Sequence, residues 1–205
     1  MKSDVALLSI LAFVGLPALA QKAEVPPASQ QIAAAVLPLP EPLRAQATVL
    51  GYSSDLALIT LRAGTNGMVC TATRPGDQDF DVRCYQESFM PIVRRLRDLH
   101  GQGLSQKEIS RVVDAEIQSK KLPLPASPAA GYRMLGPISA YTPATNSVGP
   151  QIESWQSIHF PYKTATEIGL PEEGKVPRTF PYVMGSGTFW SHVMIEHEKG
   201  PSRDR

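Results

Sequence analysis

The sequence has few of the residues that most often carry chemistry. Its 205 residues include two cysteines, four histidines and two tryptophans, and its formal net charge is +1. A net charge this close to zero creates no strong electrostatic field to attract nucleic acid or an anionic membrane surface. We therefore expect neither as a partner. The glycine patterns G-x-x-x-x-G-K-[ST] and G-x-G-x-x-G do not occur. We therefore expect no nucleotide site and no cofactor.

An apolar run long enough to span a membrane is also missing from the start of the chain. The run over residues 5–16 is too short for a comfortable span. Lys2 before it and Ala18 to Ala20 after it are typical of a cleavable secretory signal over residues 1–20. We expect export to the periplasm or the cell exterior, with a mature chain that begins near Gln21 and has no transmembrane anchor. The alternative is an N-terminal core helix.

The cysteine pair, Cys70 and Cys84, allows one disulfide. Turn-forming residues 75–79 lie midway between the two cysteines. A turn centred there places Cys70 opposite Cys84 on a mostly apolar strand face. This pattern predicts a β-hairpin closed by a disulfide, with the cysteine face buried. Export to an oxidising compartment would allow that disulfide to form. The alternatives are two free buried thiols or a metal site. We expect no metal, because no histidine lies near the cysteines in sequence.

The chain before this hairpin has the pattern of a sheet. Strands are predicted over residues 48–52 and 56–62, and the nearly continuous apolar run of the second is typical of a central strand buried on both faces. Asn66-Gly67 then indicates a tight hairpin. We expect an antiparallel meander of about four strands across residues 47–86.

Helical periodicity replaces strand periodicity after the hairpin. The first predicted helix begins with Ser88 as its N-cap and ends at Gly101. The second begins with a capping box of Ser105 and Glu108 and ends near Lys121. Because each helix has one apolar stripe, we expect both to pack on the sheet in an α+β fold.

Proline, with 19 residues, is abundant and clustered, which predicts a largely irregular second half. Strand candidates lie within it at residues 131–136, 157–162 and 180–195, the last bent around Gly185 to Gly187. A capping box of Thr164 and Glu167 predicts a short helix.

Three boundaries follow from these patterns. We expect an Ala/Pro-rich N-terminal segment over residues 21–46, a single globular domain over residues 47–198 and a charged tail over residues 199–205.

The segment over residues 62–70 has the pattern R-x-G-T-N-G-x-x-C. It resembles a motif in a group of uncharacterised exported bacterial proteins, in which a second cysteine follows a loop rich in Pro and Asp. Residues 132–135 and the H-V-M-I strand within residues 191–195 match later pieces of that group. Met68 and Ser191 depart from it, where an aromatic residue and a proline are common. The resemblance implies a shared architecture and export, and it implies no activity.

Candidate site residues lie in the second half of the chain. His192 shares a strand face with Trp190 and Met194 and is a candidate general base. His159, in another strand candidate, is its possible partner. The alternative is that both histidines are ordinary core or edge residues. Gly185 to Gly187 lacks the glycine spacing of a nucleophile elbow, and Ser186 or Ser191 has no identified acid partner for catalysis with His192.

The late aromatic residues are candidates for ligand binding. Trp155, Tyr182 and Trp190 could line a groove, although filling the core is the commoner use of such residues. The arginines of the two predicted helices lie among acidic residues of the same pair, which indicates a solvated mixed face.

With no recognisable catalytic constellation, the leading hypothesis is a non-catalytic envelope or extracellular binding protein. The alternatives are a hydrolase-like enzyme that uses His192 and a small-ligand carrier lined by the late aromatic residues.

Overall fold

The structure, a computed structural model, describes residues 24–196. The predicted signal over residues 1–20, His197 and the predicted tail over residues 199–205 lie outside the described residues. Within residues 24–196, no helix has both the length and the apolar character needed to cross a membrane.

The fold is α+β, as predicted, and is built on a mostly antiparallel sheet with the strand order β2-β1-β3-β4-β5-β8-β10-β9. The strands are β1 Thr48–Tyr52, β2 Leu58–Arg62, β3 Met68–Thr71, β4 Asp79–Gln86, β5 Ala129–Pro137, β8 Glu153–His159, β9 Tyr182–Met184 and β10 His192–Glu196, with a separate hairpin of β6 Tyr141–Thr142 and β7 Ser147–Val148. The helices are α1 Ala28–Ala35, α2 Glu41–Arg44, α3 Met90–Gly101, α4 Gln106–Gln118 and α5 Ala165–Ile168.

The cysteine hairpin forms in the predicted register. Cys70 of β3 lies opposite Cys84 of β4, and the two form a disulfide. Both cysteines are fully buried, as are Phe80 and Val82 on the same face of β4. Closing a loop of about 15 residues stabilises the fold by about 3 kcal/mol in the chain-entropy model.

The predicted meander is wrong in its strand order. β1 pairs with β2 on one side and, in parallel, with β3 on the other, so β2 is an edge strand and not a central one. Ile59 in its middle is 43% exposed. An apolar run of this length does not distinguish an edge strand from a central one, because strand order depends on contacts made elsewhere in the chain.

The segment between β2 and β3 explains this order. Asn66-Gly67 does not close a hairpin, since residues 63–67 cross the start of β1 and place β3 on its far side. The backbone N–H of Thr65 donates to the carbonyl oxygen of Gln46 at 2.8 Å, and that of Gly64 donates to Thr48 Oγ1 at 3.0 Å. These bonds hold the crossing segment against the start of β1.

Helices cover both faces of this part of the sheet. On the cysteine face, Ala35, Val36 and Leu39, from α1 and the turn after it, pack with the disulfide. On the other face, α3 and α4 pack over Val69 and Tyr85. The cysteines on one face and Val69 and Tyr85 on the other are therefore buried, whereas Arg83 on the second face is exposed.

Of the two long helices, only α4 begins with the predicted cap. At the start of α4, Ser105 and Glu108 form the predicted capping box. Ser88 is not the N-cap of α3, because a 3₁₀ turn over Glu87–Phe89 precedes that helix. The side chain of Gln86 accepts the backbone N–H of Ser88 and so caps this turn.

The Pro-rich second half contributes β5, β8, β10 and β9 to the sheet. The strand predicted over residues 157–162 lies earlier, at Glu153–His159, and the strands predicted within residues 180–195 form on either side of the Gly185 to Gly187 turn. The predicted capping box of Thr164 and Glu167 starts α5. This helix covers the cysteine face of β9 and β10, where Ala165 packs with buried valines.

Candidate ligand-binding site

The face of the sheet that carries α3 and α4 holds a cavity beyond those helices. Its volume is about 310 Å³, and side chains from β4, β5, β8, β9 and β10 line it. His159, His192, Trp155, Tyr182 and Trp190, the five site candidates from the sequence, all lie in its wall. We call this space the histidine cavity.

Strand register brings these side chains together. His192 of β10 lies opposite His159 of β8, and Tyr182 of β9 lies opposite Met194 of β10. Alternate residues of a strand share a face, so Trp155 and His159 point to the same side of β8. Trp190 precedes β10 and lines the same cavity.

The two imidazoles form the centre of an aromatic cluster. The rings of His159 and His192 are stacked with their centroids 4.8 Å apart. The His159 ring also lies 4.2 Å from that of Phe89 and 4.9 Å from that of Trp190. The α3 side of the cavity is therefore closed by aromatic rings.

His159 is almost completely enclosed. It is 2% exposed, and its Nε2 lies 3.1 Å from the hydroxyl oxygen of Ser157. Its Nδ1 is a buried nitrogen that has no hydrogen-bond partner among the described residues. Burial lowers the pKa of His159 to about 2, and the neighbouring His192 adds to this effect. The ring is consequently neutral at physiological pH.

His192 is also buried but is anchored by the backbone. Its Nδ1 lies 2.6 Å from the carbonyl oxygen of Trp190, to which it donates in the neutral ring, and this leaves Nε2 as an acceptor. Burial lowers the pKa of His192, although the bond to Trp190 and the charge of Glu173 oppose this effect. The two stacked imidazole rings are therefore both neutral.

The opposite rim of the cavity is polar. The hydroxyl group of Tyr182 donates to the carboxylate of Glu196. Burial, followed by this hydrogen bond, raises the pKa of Tyr182 to about 12. Arg178 lies 3.7 Å from the same carboxylate and 3.8 Å from that of Glu173. This network fixes the side chains at the β9 edge.

Arg133 of β5 forms the remaining wall. Its guanidinium lies 5.2 Å from the centre of the Trp155 ring, in a cation–π contact, and also donates two hydrogen bonds of 2.8 Å to Asp81. No sequence pattern placed Arg133 in the site, because its neighbours Asp81 and Trp155 come from β4 and β8.

The two serines considered as nucleophiles have structural roles. Ser191 is fully buried and donates to the carbonyl oxygen of Lys163 at 2.5 Å. Ser186 accepts the backbone N–H of Ala165 at the start of α5. Neither hydroxyl bonds to His192, so the arrangement does not support Ser–His catalysis through them.

Ser157 is a cavity residue that the sequence analysis missed. The strand was predicted to begin at Ser157, whereas it begins at Glu153. With the observed bounds, Trp155, Ser157 and His159 fall at alternate positions on one face, a period-two signal that the sequence does contain.

Within residues 24–196, no three His, Cys, Asp or Glu side chains are grouped so that they could hold a metal ion. Comparisons of the chain with protein-family models, with curated proteins and with solved structures found no match.

Proposed function

We propose that the protein is an exported, non-catalytic binding protein that holds a small ligand in the histidine cavity. The observation that carries this proposal is a cavity of about 310 Å³ that combines aromatic walls with two neutral imidazoles. Apolar walls with a few fixed polar groups are typical of small-ligand sites. The leading hypothesis from the sequence and the carrier hypothesis thus refer to one site.

The histidines favour binding over proton transfer. A general base works best when its pKa lies near the operating pH, and the pKa of His159, about 2, is far below it. The Nδ1 of His159 is a buried polar atom without a hydrogen-bond partner among the described residues. A polar ligand atom in the cavity would supply that partner. The signal-like start of the chain and the buried disulfide support export.

The two tryptophans of the chain, Trp155 and Trp190, both line the cavity, so intrinsic fluorescence reports on it directly. We expect N-phenyl-1-naphthylamine, a neutral aromatic probe, to bind saturably and to quench tryptophan emission. Trp155→Leu removes an aromatic wall and should weaken binding about tenfold, measured by the fluorescence of the probe. Phe180→Leu is the matched control, because Phe180 is 60% exposed and outside the cavity. Native mass spectrometry should also reveal a ligand that co-purifies with the protein.

Two results would contradict the proposal. One is the absence of saturable probe binding, or equal binding by Trp155→Leu and Phe180→Leu. The other is turnover in a broad hydrolase panel that disappears in His192→Ala. That second result would favour the alternative, an enzyme that uses the acceptor Nε2 of His192 as a base.

A further inference from the structure

A second cavity adjoins the first on the same face of the sheet. Its volume is about 630 Å³, and it lies between α3 and strands β1, β3 and β4. Tyr85, Arg133 and Trp190 line both cavities, so the two spaces share a wall. We call the second space the arginine cavity.

Positive charge exceeds negative charge in the arginine cavity. Four arginines and two aspartates line it: Arg74, Arg83, Arg97 and Arg133, with Asp77 and Asp81. They come from the hairpin turn, β4, α3 and β5. No sequence pattern links these positions, and the arginines of α3 were expected to be simply solvated.

Two of the arginines share one carboxylate. Arg83 and Arg133 both donate to Asp81. Burial alone would raise the pKa of Asp81, but the hydrogen bonds from the two guanidinium groups outweigh it and lower the pKa. Asp81 is therefore ionised and balances only one of its two partners.

The other two arginines stand near Tyr52. Arg97 and Arg74 are the charged groups with the largest electrostatic effect on the Tyr52 hydroxyl, ahead of Asp77 and Arg83. None of the ion pairs within residues 24–196 includes Arg74 or Arg97. Guanidinium groups without a carboxylate partner, next to a phenol donor, are suited to an oxyanion.

From this arrangement we infer that the ligand is a small acidic molecule whose oxyanion lies among Arg74, Arg83, Arg97 and Tyr52. Its planar or apolar part extends past Trp190 into the histidine cavity. Val93, Leu96 and Phe189 supply the apolar wall along this path. A volume of this size suits a small molecule. The inference rests on the proposed function and adds the chemical class of the ligand.

Calorimetric titration with phenyl phosphate, phenyl sulfate, benzoate, inorganic phosphate and phenol tests the inference. At least one aryl anion should bind more tightly than phenol, and phenyl phosphate more tightly than inorganic phosphate. The ranking of the three aryl anions identifies the oxyanion as phosphate, sulfate or carboxylate. If none of the three binds more tightly than phenol, the inference is wrong.

Two variants of α3 test where the anion binds. Arg97→Gln should weaken binding of the preferred aryl anion about tenfold or more, since it removes a charge-assisted hydrogen bond. Arg94→Gln removes the same charge from an exposed position of the same helix outside both cavities, and it should bind like the wild type. Equal affinities in the two variants would place the anion elsewhere and refute the arginine cavity.

The two proposals fail separately. The naphthylamine probe is neutral and reports on the histidine cavity, whereas the aryl anions report on the arginine cavity. Probe binding without anion binding refutes the acidic ligand and leaves the proposed function intact. Anion binding that depends on Arg97, without probe binding, refutes the histidine cavity as the site.

Discussion

At the scale of single residues, the neutral state of His159 predicts a loss of stability in acid. The unfolded histidine has a pKa near 6.5, whereas that of the folded one is about 2. Between these values the unfolded chain binds the extra proton, so stability is present above about pH 6.5 and is lost as the pH falls. Two pH units below 6.5, this residue should cost about 3 kcal/mol of unfolding free energy.

Urea unfolding at a series of pH values checks this prediction. His159→Phe keeps an aromatic ring against Phe89 and Trp190 but cannot take up a proton, so its stability should fall by about 3 kcal/mol less than that of the wild type over the same range. His100→Phe, at an exposed position, serves as the control and should follow the wild type. Parallel curves for His159→Phe and the wild type would show that His159 does not titrate in this way.

For single residues, the sequence predicted shared strand faces but not contacts between strands. Alternation alone placed Trp190, His192 and Met194 on one side of a strand, and the structure confirms that all three line one cavity. Alternation could not place His159 opposite His192, because strand pairing is a tertiary contact. The arginine cavity was missed for the same reason, since Arg74 and Arg97 come from separate elements.

At the scale of elements, the sequence predicted the features that depend on nearby residues but not the order of the strands in the sheet. The capping boxes of α4 and α5 and the register of the cysteine hairpin were predicted correctly, because each depends on residues close in sequence. The position of β2 at the edge was not predicted, because it depends on the crossing of residues 63–67 over the start of β1. The motif R-x-G-T-N-G covers this crossing, and its resemblance to exported proteins stays a prediction.

This crossing makes a glycine necessary. A Cβ atom at Gly64 would lie 2.2 Å from the backbone nitrogen of Thr48 and 2.3 Å from the carbonyl oxygen of Gln46. Gly64→Ala should therefore destabilise the protein by at least about 2 kcal/mol, measured by urea unfolding, since backbone atoms would have to move. Had Asn66-Gly67 closed the tight hairpin that the sequence indicated, the same change at Gly64 would be tolerated.

Gly101→Ala provides the matched control for this prediction. Nothing lies within 4 Å of a Cβ atom at Gly101, the last residue of α3. Alanine favours helix over glycine by about 1 kcal/mol, so this variant should be as stable as the wild type or slightly more stable. A Gly64→Ala protein of equal stability would contradict the close approach of the crossing segment to β1.

At the scale of the whole molecule, the hairpin with its disulfide is the middle of three layers. The helices α3 and α4 cover one face, and residues of the Ala/Pro-rich N-terminal segment cover the other. This arrangement explains why Val69 and Tyr85 are buried on a face that is partly polar in sequence. The arginine cavity lies between α3 and the sheet, so this helix forms one of its walls.

One buried polar side chain of α1 bonds directly to the backbone of β1. Gln31 of α1 accepts the backbone N–H of Tyr52 at 2.7 Å and donates to its carbonyl oxygen at 3.0 Å. Gln31→Ala leaves both backbone groups without these partners and should lower the free energy of unfolding by about 2 kcal/mol. Gln30→Ala makes the same change one position earlier and should alter stability by less than about 0.5 kcal/mol in the same urea titration. Equal stabilities in the two variants would mean that α1 packs on the sheet through apolar contacts alone.

Because Tyr52 also lines the arginine cavity, Gln31→Ala should weaken binding of the preferred aryl anion as well, which would link the N-terminal segment to the site.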